Sequence, residues 1–419
     1  TEEVAHGIQE TQAKYVITNK KTLNNLLKIV TKLQNVKCII VLDEKQVKEK
    51  ENNNINIVSL EEIELMGIGS KDDVNEKITL DDVVSIMYTS GSSGKLINSL
   101  NKSELFFILG KPKGVMLTHR NVLSAIKTLT THLYSITEDS KNNVYVAYLP
   151  LAHILEFTAE LLFFSNGISL GYSSTFTLTD KSPGIMQGQK GDLTILRPTI
   201  FITVPLVLER MKKAIIDKIE KKGSFLKSFF EFAIEYKYQW GLRGFTTPIL
   251  DHCIFNSIKN VLGGRVRLVS CGGAPLAQET HKFCNSCFGI NIMQGYGSTE
   301  TCSAISLIDI DDPTFENVGE PLPYTQVKLV DWPEGGYRVT DMPRPRGEIL
   351  VHSDHVAKGY YQNDELTKEA FIQDSDGKRW FMTGDIGEML EGGKLKIIDR
   401  KKDIVKLQHG EYISLGKVN

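Results

Sequence analysis

The sequence is poor in cysteine: Cys38, Cys253, Cys271, Cys284, Cys287 and Cys302 are scattered over 419 residues. So thin a set builds no disulfide framework and favours a reducing compartment. Cys284 and Cys287 form one CxxC pair, but a zinc site needs two further ligands at comparable spacing. None accompanies them, and both read as buried structural thiols. A charge excess is also missing, with 49 Lys and Arg against 51 Asp and Glu and a net charge of −2. That balance gives no broad electrostatic reason to expect nucleic acid as a partner. No signal peptide opens the chain, and no uncharged apolar run reaches the roughly 18 residues of a membrane span. The longest candidate, Val144 to Phe164, carries His153, Glu156 and Glu160 and reads as core. Internal repeats, low-complexity tracts and the Walker spacing GxxxxGK(S/T) are absent as well.

What is there is ordinary in bulk, with 41% hydrophobic and 24% charged residues. The length exceeds the size at which one core stops growing, so two or more subdomains are expected. The chain is organised around Val83 to Gly94, VVSIMYTSGSSG. An apolar run bounded by such a loop reads as a buried strand feeding a turn that a ligand can approach closely. Thr89, Ser90, Ser92 and Ser93 offer hydroxyls, and Gly91 and Gly94 let successive N–H groups face one concavity, as in an anion-binding nest.

The rest alternates helical and strand patterns. Leu23, Leu26, Leu27 and Val30 lie at helical spacing, and Cys38 to Leu42 is a strand run. Glu49 to Asp82 is polar and Asn-rich and reads as a surface excursion. Thr118 is placed to cap a helix from His119 to about Leu133. Strand runs follow at Val144 to Leu149, Thr199 to Val204, Val266 to Ser270 and Ile290 to Met293, ending in the turns LPLAH, TVP, SCGGAPL and QGYGSTET. With the first loop these make five turns expected to line one crevice at the carboxyl ends of a parallel sheet. Pro205 to Lys222 is an amphipathic helix. Phe225 to Trp240 is aromatic and mildly basic; membrane contact is one reading and helix-on-core packing the simpler one. From Val318 short alternating runs with Gly and Pro turns predict a small β subdomain.

Five stretches then stand in one order: YTSGSSG with PKGV downstream, LPLAH, QGYGSTET, FMTGD and KIIDRKKD. Together they resemble the adenylate-forming superfamily, and the run Arg379 to Val418 is similar to that of long-chain fatty acyl-CoA synthetases. The resemblance implies an α/β fold: a large adenylation lobe of mixed, largely parallel sheets and helices plus a small β subdomain, with the carboxy-terminal lobe mostly missing. Residues 1–317 are the α/β part, 318–398 the β-rich part, 399–403 a hinge, and 404–419 the start of the next lobe. The implied reaction joins a fatty acid to coenzyme A: the carboxylate attacks ATP to give acyl-adenylate and pyrophosphate, then the thiol displaces AMP. Catalysis of this kind rests on positioning and charge cancellation.

Carried over residue by residue, the resemblance implies that Thr89, Ser90, Gly91, Ser92, Ser93, Gly94 and Lys113 hold the β- and γ-phosphates. Thr299 is the donor to the α-phosphate and Glu300 the Mg2+ ligand. Tyr296, between Gly295 and Gly297, stacks on adenine, with Gly272, Gly273 and Ala274 bordering it. Asp385 holds the ribose with Arg400 as companion, and His153 lies near the substrate carboxylate. Catalytic roles thus fall to Lys113, Thr299, Glu300 and His153. A different carboxylic acid, short-chain, medium-chain or aryl, or an inactive nucleotide-binding protein, remain open alternatives. Membrane association through a missing amino-terminal segment, on the cytosolic face of the endoplasmic reticulum or a similar organelle, is implied by resemblance alone. Chain-length preference and oligomeric state are not written in any motif.

Two departures stand out. The chain begins at Thr1 and stops at Asn419 within what reads as an element, so we expect a piece of something longer, short of a family lysine used in the first half-reaction and therefore impaired. Between Gly94 and Pro112 lie the 17 residues Lys95 to Lys111, where the family pattern has one. Gly94-Lys95 recurs as Gly110-Lys111, and removing one copy with the intervening residues restores GSSGKPKGV. Gly-Lys-Leu fits a translated splice donor and Phe-Phe-Ile-Leu-Gly a pyrimidine-rich acceptor tract, so the extra sixteen codons read as an intron retained in frame.

Overall fold

Successive side chains of the chain's buried parallel strands alternate between two sets of apolar neighbours, one on each face of their sheet. The computed structural model describes residues 2–44, 51–52, 54–69, 77–89, 112–406 and 412–414. They divide into two compact units, one made of residues 1–82, 88–116 and 360–364, the other of 83–87, 117–359 and 365–419.

In the first unit, Tyr15–Thr18 (β1), Cys38–Val41 (β2), Glu51–Asn52 (β3) and Ile55–Ser59 (β4) form a sheet in the order β1-β2-β4-β3. The three longer strands run parallel and β3 antiparallel. Helices Glu2–Glu10 (α1) and Lys20–Leu27 (α2) contribute to its core, in which Ala5, Leu26, Val30, Ile39, Val41, Ile55 and Ile57 are buried. The expectation that Glu49 to Asp82 is only a surface excursion is corrected here. Its INIVS run is a strand with Ile55, Ile57 and Ser59 inward, and Ser59 then caps Leu60–Gly67 (α3) through a capping box with Glu62.

Val83–Thr89 (β5) and Lys113–Thr118 (β6) join the short strand Gly359–Tyr360 (β15) in a three-stranded sheet of order β15-β6-β5. The expected five turns on one sheet therefore become four, because β5 belongs to this smaller sheet.

The second unit holds a six-stranded sheet of Val144–Ala147 (β7), Ser169–Tyr172 (β8), Ile200–Thr203 (β9), Leu268–Cys271 (β10), Ile292–Ser298 (β11) and Ser303–Leu307 (β12), in the order β12-β11-β10-β9-β7-β8. Strands β7 to β11 are parallel and β12 is antiparallel. Period-two side chains divide between two cores. Val146, Phe201 and Val269 join one cluster, with Leu208, Met211, Phe230, Phe283 and Cys284 from helices Pro205–Glu220 (α6), Ser224–Gly241 (α7) and Gln278–Phe288 (α8). Tyr145, Ile200, Ile202 and Leu268 join the other, with Leu129, Leu162 and Phe163 from His119–His132 (α4) and Ile154–Ser165 (α5). A parallel sheet covered on both faces gives such apolar runs. Thr118 caps α4 as its position predicts, in a reciprocal pair with Asn121.

Beyond it lies a five-stranded antiparallel sheet of Gln326–Val330 (β13), Arg346–His352 (β14), Phe371–Gln373 (β16), Arg379–Met389 (β17) and Leu395–Arg400 (β18), ordered β13-β14-β17-β16 with β18 also on β17. Ile404–Lys406 (β19) and Tyr412–Ser414 (β20) form a separate antiparallel pair. Among the described residues no helix is long and apolar enough to cross a membrane, and Val144 to Phe164 supplies β7 and α5 of the core. Cys284 and Cys287 are both buried in α8, where burial pushes the Cys284 thiol up to about 12.

Candidate functional site

The turns after β7, β9, β10 and β11 leave the same edge of the six-stranded sheet, where ligands of open parallel sheets gather. Strand β11 carries the site. Ile292 to Gln294 pair in parallel with Val269 to Cys271, and Gly295 to Ser298 pair antiparallel with residues of β12, with a bulge between Tyr296 and Gly297. A Cβ on Gly297 would lie 1.8 Å from the Ser303 carbonyl oxygen, so this glycine is required for the two strands to close.

The connecting turn holds Thr299 and Glu300 and returns through Cys302 at φ 47° and Ser303 at φ 89°. Left-handed backbone at such residues costs on the order of 1–3 kcal/mol each and persists only where neighbours enforce it. Here the Thr301 hydroxyl donates to the Ser303 carbonyl at 2.9 Å. Burial lowers His355 to about 4, and its neutral ring sets Nδ1 2.9 Å from the Thr301 carbonyl and Nε2 3.0 Å from the Thr325 hydroxyl. The Ala357 N–H donates to the Glu300 carbonyl at 2.7 Å.

Beside this turn stands a buried carboxylate. The Tyr296 hydroxyl donates to Asp385 Oδ2 at 2.6 Å, and Arg400 Nε lies 3.1 Å from Oδ1. Asp385 and Arg400 are direct cross-strand partners on β17 and β18. Burial pushes the Asp385 carboxyl above its ordinary range, the Tyr296 hydroxyl and the Arg400 guanidinium oppose that push, and the charge of Glu300 adds to it. The Tyr296 phenol is driven well up, by burial first and then by the Asp385 charge, and stays a donor. The Asp385 N–H donates to Thr383 Oγ1 at 3.0 Å, and that hydroxyl donates to the Ile349 carbonyl at 2.9 Å.

Gly272, Gly273 and Ala274 continue from β10, and a Cβ on Gly272 would stand 3.6 Å from the Gly295 carbonyl. The glycine turn thus runs alongside the start of the antiparallel half of β11. His153 caps α5: its Nδ1 accepts from the Leu155 N–H at 3.2 Å, which leaves Nε2 to carry the proton. In the second unit the structure therefore brings together Gly272, Gly295, Tyr296, Glu300, Asp385 and Arg400, and sets His153 at the same sheet edge.

Thr89 and Lys113 belong to the first unit. Thr89 ends β5, and the Lys113 ammonium stands over the Tyr360 ring, 5.1 Å from its centroid, a cation held over an aromatic face. Ser90, Gly91, Ser92, Ser93 and Gly94 lie outside the described residues, as does Lys95 to Lys111. Among the described residues no group of three or more His, Cys, Asp and Glu is placed to hold a metal. Magnesium at phosphates takes one or two carboxylates and fills its shell from phosphate oxygens and water, so the single carboxylate of Glu300 fits that part.

Sequence reasoning missed Thr383, His355 and Tyr360. Thr383 lies in the FMTGD stretch, but β17 shifts register against β14 between Met382 and Ile386 and Gly384 stands at φ 72°, so strand alternation does not mark it. His355 and Tyr360 carry no local signal, since their partners lie far off in the chain.

The chain belongs to the AMP-binding enzyme family, whose model matches residues 1–96 and 109–361; the interruption falls within Lys95 to Lys111. Its similar relatives include long chain acyl-CoA synthetase 8 of Arabidopsis thaliana, 41% identical over 429 residues that cover 100% of this chain and 57% of that protein. Another is long-chain-fatty-acid--CoA ligase 2 of Schizosaccharomyces pombe, 40% identical over 347 residues, 81% of this chain and 46% of that protein. The chain thus spans about half the length of the curated relatives it matches. Among solved structures, the A domain of a carboxylic acid reductase from Segniliparus rugosus, in complex with AMP and a co-purified carboxylic acid, superposes at TM-score 0.72 with 20% identity, over 99% of this chain and 59% of that one. A long-chain-fatty-acid-CoA ligase from Archaeoglobus fulgidus gives 0.64 with 19% identity, over 95% and 64%. These likenesses establish the adenylation fold.

Proposed function

We propose that this chain carries the adenylation part of a long-chain fatty acid–CoA ligase. A fatty acid carboxylate attacks the α-phosphate of ATP, giving acyl-adenylate and pyrophosphate, and the thiol of coenzyme A then displaces AMP. The observation that carries this reading is the buried Asp385, held by Tyr296 and Arg400 beside the Glu300 turn. Each carboxylate oxygen has two acceptor sites and one partner here, so one site on each is left for the two hydroxyls of a ribose. Anchored through its hydroxyl, Tyr296 offers a ring of fixed tilt for adenine to stack on, with the backbone of Gly272, Gly273 and Ala274 along its border.

Thr299 supplies a hydroxyl to the α-phosphate, and Glu300 is the residue to hold Mg2+, which when bound neutralises charge on phosphate oxygens. Lys113, with Thr89 and the hydroxyl and glycine residues to Gly94, takes the β- and γ-phosphates. A lysine is a mobile point charge suited to a departing pyrophosphate. His153, protonated at Nε2, is the donor offered to the substrate carboxylate. The names of the relatives support the long acyl chain.

Acid-dependent exchange of labelled pyrophosphate into ATP by the full-length spliced protein, run across fatty acids of increasing length, tests the reading. Exchange that peaks with long acids supports it. Exchange confined to short or aromatic acids reassigns the substrate, and no exchange while nucleotide still binds makes the protein a nucleotide-binding one only.

A further inference from the structure

Helix α7 has two apolar faces, and only one of them is covered. Phe230 and Ala233 are buried and Ile234 packs against the same core, which is the helix-on-core packing expected of this segment. Phe225, Phe229, Phe232 and Tyr236, spaced by four, three and four residues, form a second stripe that stays exposed, with Phe225 81% and Phe232 60% accessible. The ridge continues past the helix: ring centroids of Phe232 and Tyr236 are 5.9 Å apart, Tyr236 and Trp240 5.6 Å, Trp240 and Phe245 5.2 Å. Soluble proteins seldom leave so continuous an apolar ridge to water unless something docks there.

Charge selects the occupant. Residues 205–245 contain nine Lys and Arg against five Asp and Glu, a net charge of +4 in a chain whose total is −2. Exposed Lys221 and Lys222 stand just before the ridge and exposed Arg243 lies within its far end. Ion pairs spend charges of both signs: Glu220 pairs with Lys227 inside the stretch, Glu235 with Lys282, and Lys237 and Lys212 with Asp251 and Glu279. Aromatic rings at a water boundary flanked by basic side chains are the chemistry of a bilayer interface, and the cationic excess favours anionic headgroups. We propose that the ridge from Phe225 to Phe245 docks the protein on the surface of an anionic phospholipid bilayer. Such attachment lies in the plane of the interface and needs no spanning helix, and it stands independently of the ligase reading.

Sedimentation of the full chain with vesicles of phosphatidylcholine, with and without phosphatidylserine, tests this. Binding should require phosphatidylserine and fall with added salt. The double variants Phe225→Ser/Phe232→Ser and Lys221→Glu/Lys222→Glu should each lower partitioning by about tenfold or more, with thermal unfolding unchanged. In the unaltered chain, bilayer lipids brominated on their acyl chains should quench Trp240, and Trp240→Phe should remove that quenching. No binding to either vesicle, variants that partition like the unaltered chain, or unquenched Trp240 would overturn the proposal. So would a dimer in gel filtration that Phe225→Ser/Phe232→Ser disperses, which would give the ridge to a second copy.

Discussion

A carboxylate that is nearly sealed from water depends on each of its partners. Replacing Tyr296 by Phe removes one donor from Asp385, and a buried acceptor left short of a partner costs about 1–3 kcal/mol. Denaturant unfolding should register that loss, with a weaker affinity for nucleotide beside it. The proposed roles separate in kinetics. In an otherwise complete enzyme Lys113→Ala, which removes a donor acting on developing charge, should cost about 10²–10³ in turnover, whereas Asp385→Ala should mainly raise the KM for ATP. Equal effects of both changes on both constants would refute that division. Glu156 is a different case. It is buried on α5, Tyr145 donates to its Oε2 at 2.6 Å, and its Oε1 has no partner among the described residues. Burial pushes its carboxyl up to about 7, opposed by the Tyr145 hydroxyl and assisted by Glu160, which the Tyr172 hydroxyl faces from β8. A raised value favours the protonated form in the fold, so its contribution is whole below the ordinary glutamate range and is lost as pH rises to about 7. Stability should fall across that window by up to about 1.4 kcal/mol per pH unit, and Glu156→Gln should flatten the profile. At this scale the sequence disclosed the residue types of the site through its motifs; the partners that hold them, His355 above all, were hidden because they are distant in the chain.

Elements were legible where hydrophobic period and capping agreed. Helix α4 begins where Thr118 marks it, and β7, β9, β10 and β11 fall within or beside their apolar runs. The strand β4 escaped because three asparagines precede it and its alternation is short, so polarity outweighed period. The separate sheet of β5 escaped because an apolar run reports burial and says nothing of which strand it pairs with. Asn121 shows how a cap reaches further than its own helix. Its amide donates to the carbonyls of Asp354 and Val356 at 2.8 and 2.9 Å, while its Oδ1 accepts from the Thr118 N–H. Thr118→Ala should therefore cost about 1 kcal/mol, as lost caps do. Asn121→Ala strands two carbonyls as well and should cost about 2–3 kcal/mol; equal losses in denaturant titration would refute the wider role.

For the whole molecule, the family match passes over residues 97–108, inside the segment whose removal restores GSSGKPKGV. Sequencing the mature transcript should find those codons absent, and a message that keeps them refutes the retained-intron reading. Length predicts more than one subdomain and says nothing of where they divide; the two compact units divide through β5 and β6. The pairing of Asp385 with Arg400 has a consequence for everything that follows residue 400. In the proposed mode a diol takes the second acceptor site of each Asp385 oxygen and so shares Oδ1 with the guanidinium, and linkage is reciprocal. Whatever shifts Arg400 must then change the grip on that diol by the factor with which the diol shifts Arg400, so nucleotide occupancy and the setting of the downstream segment would share one free energy.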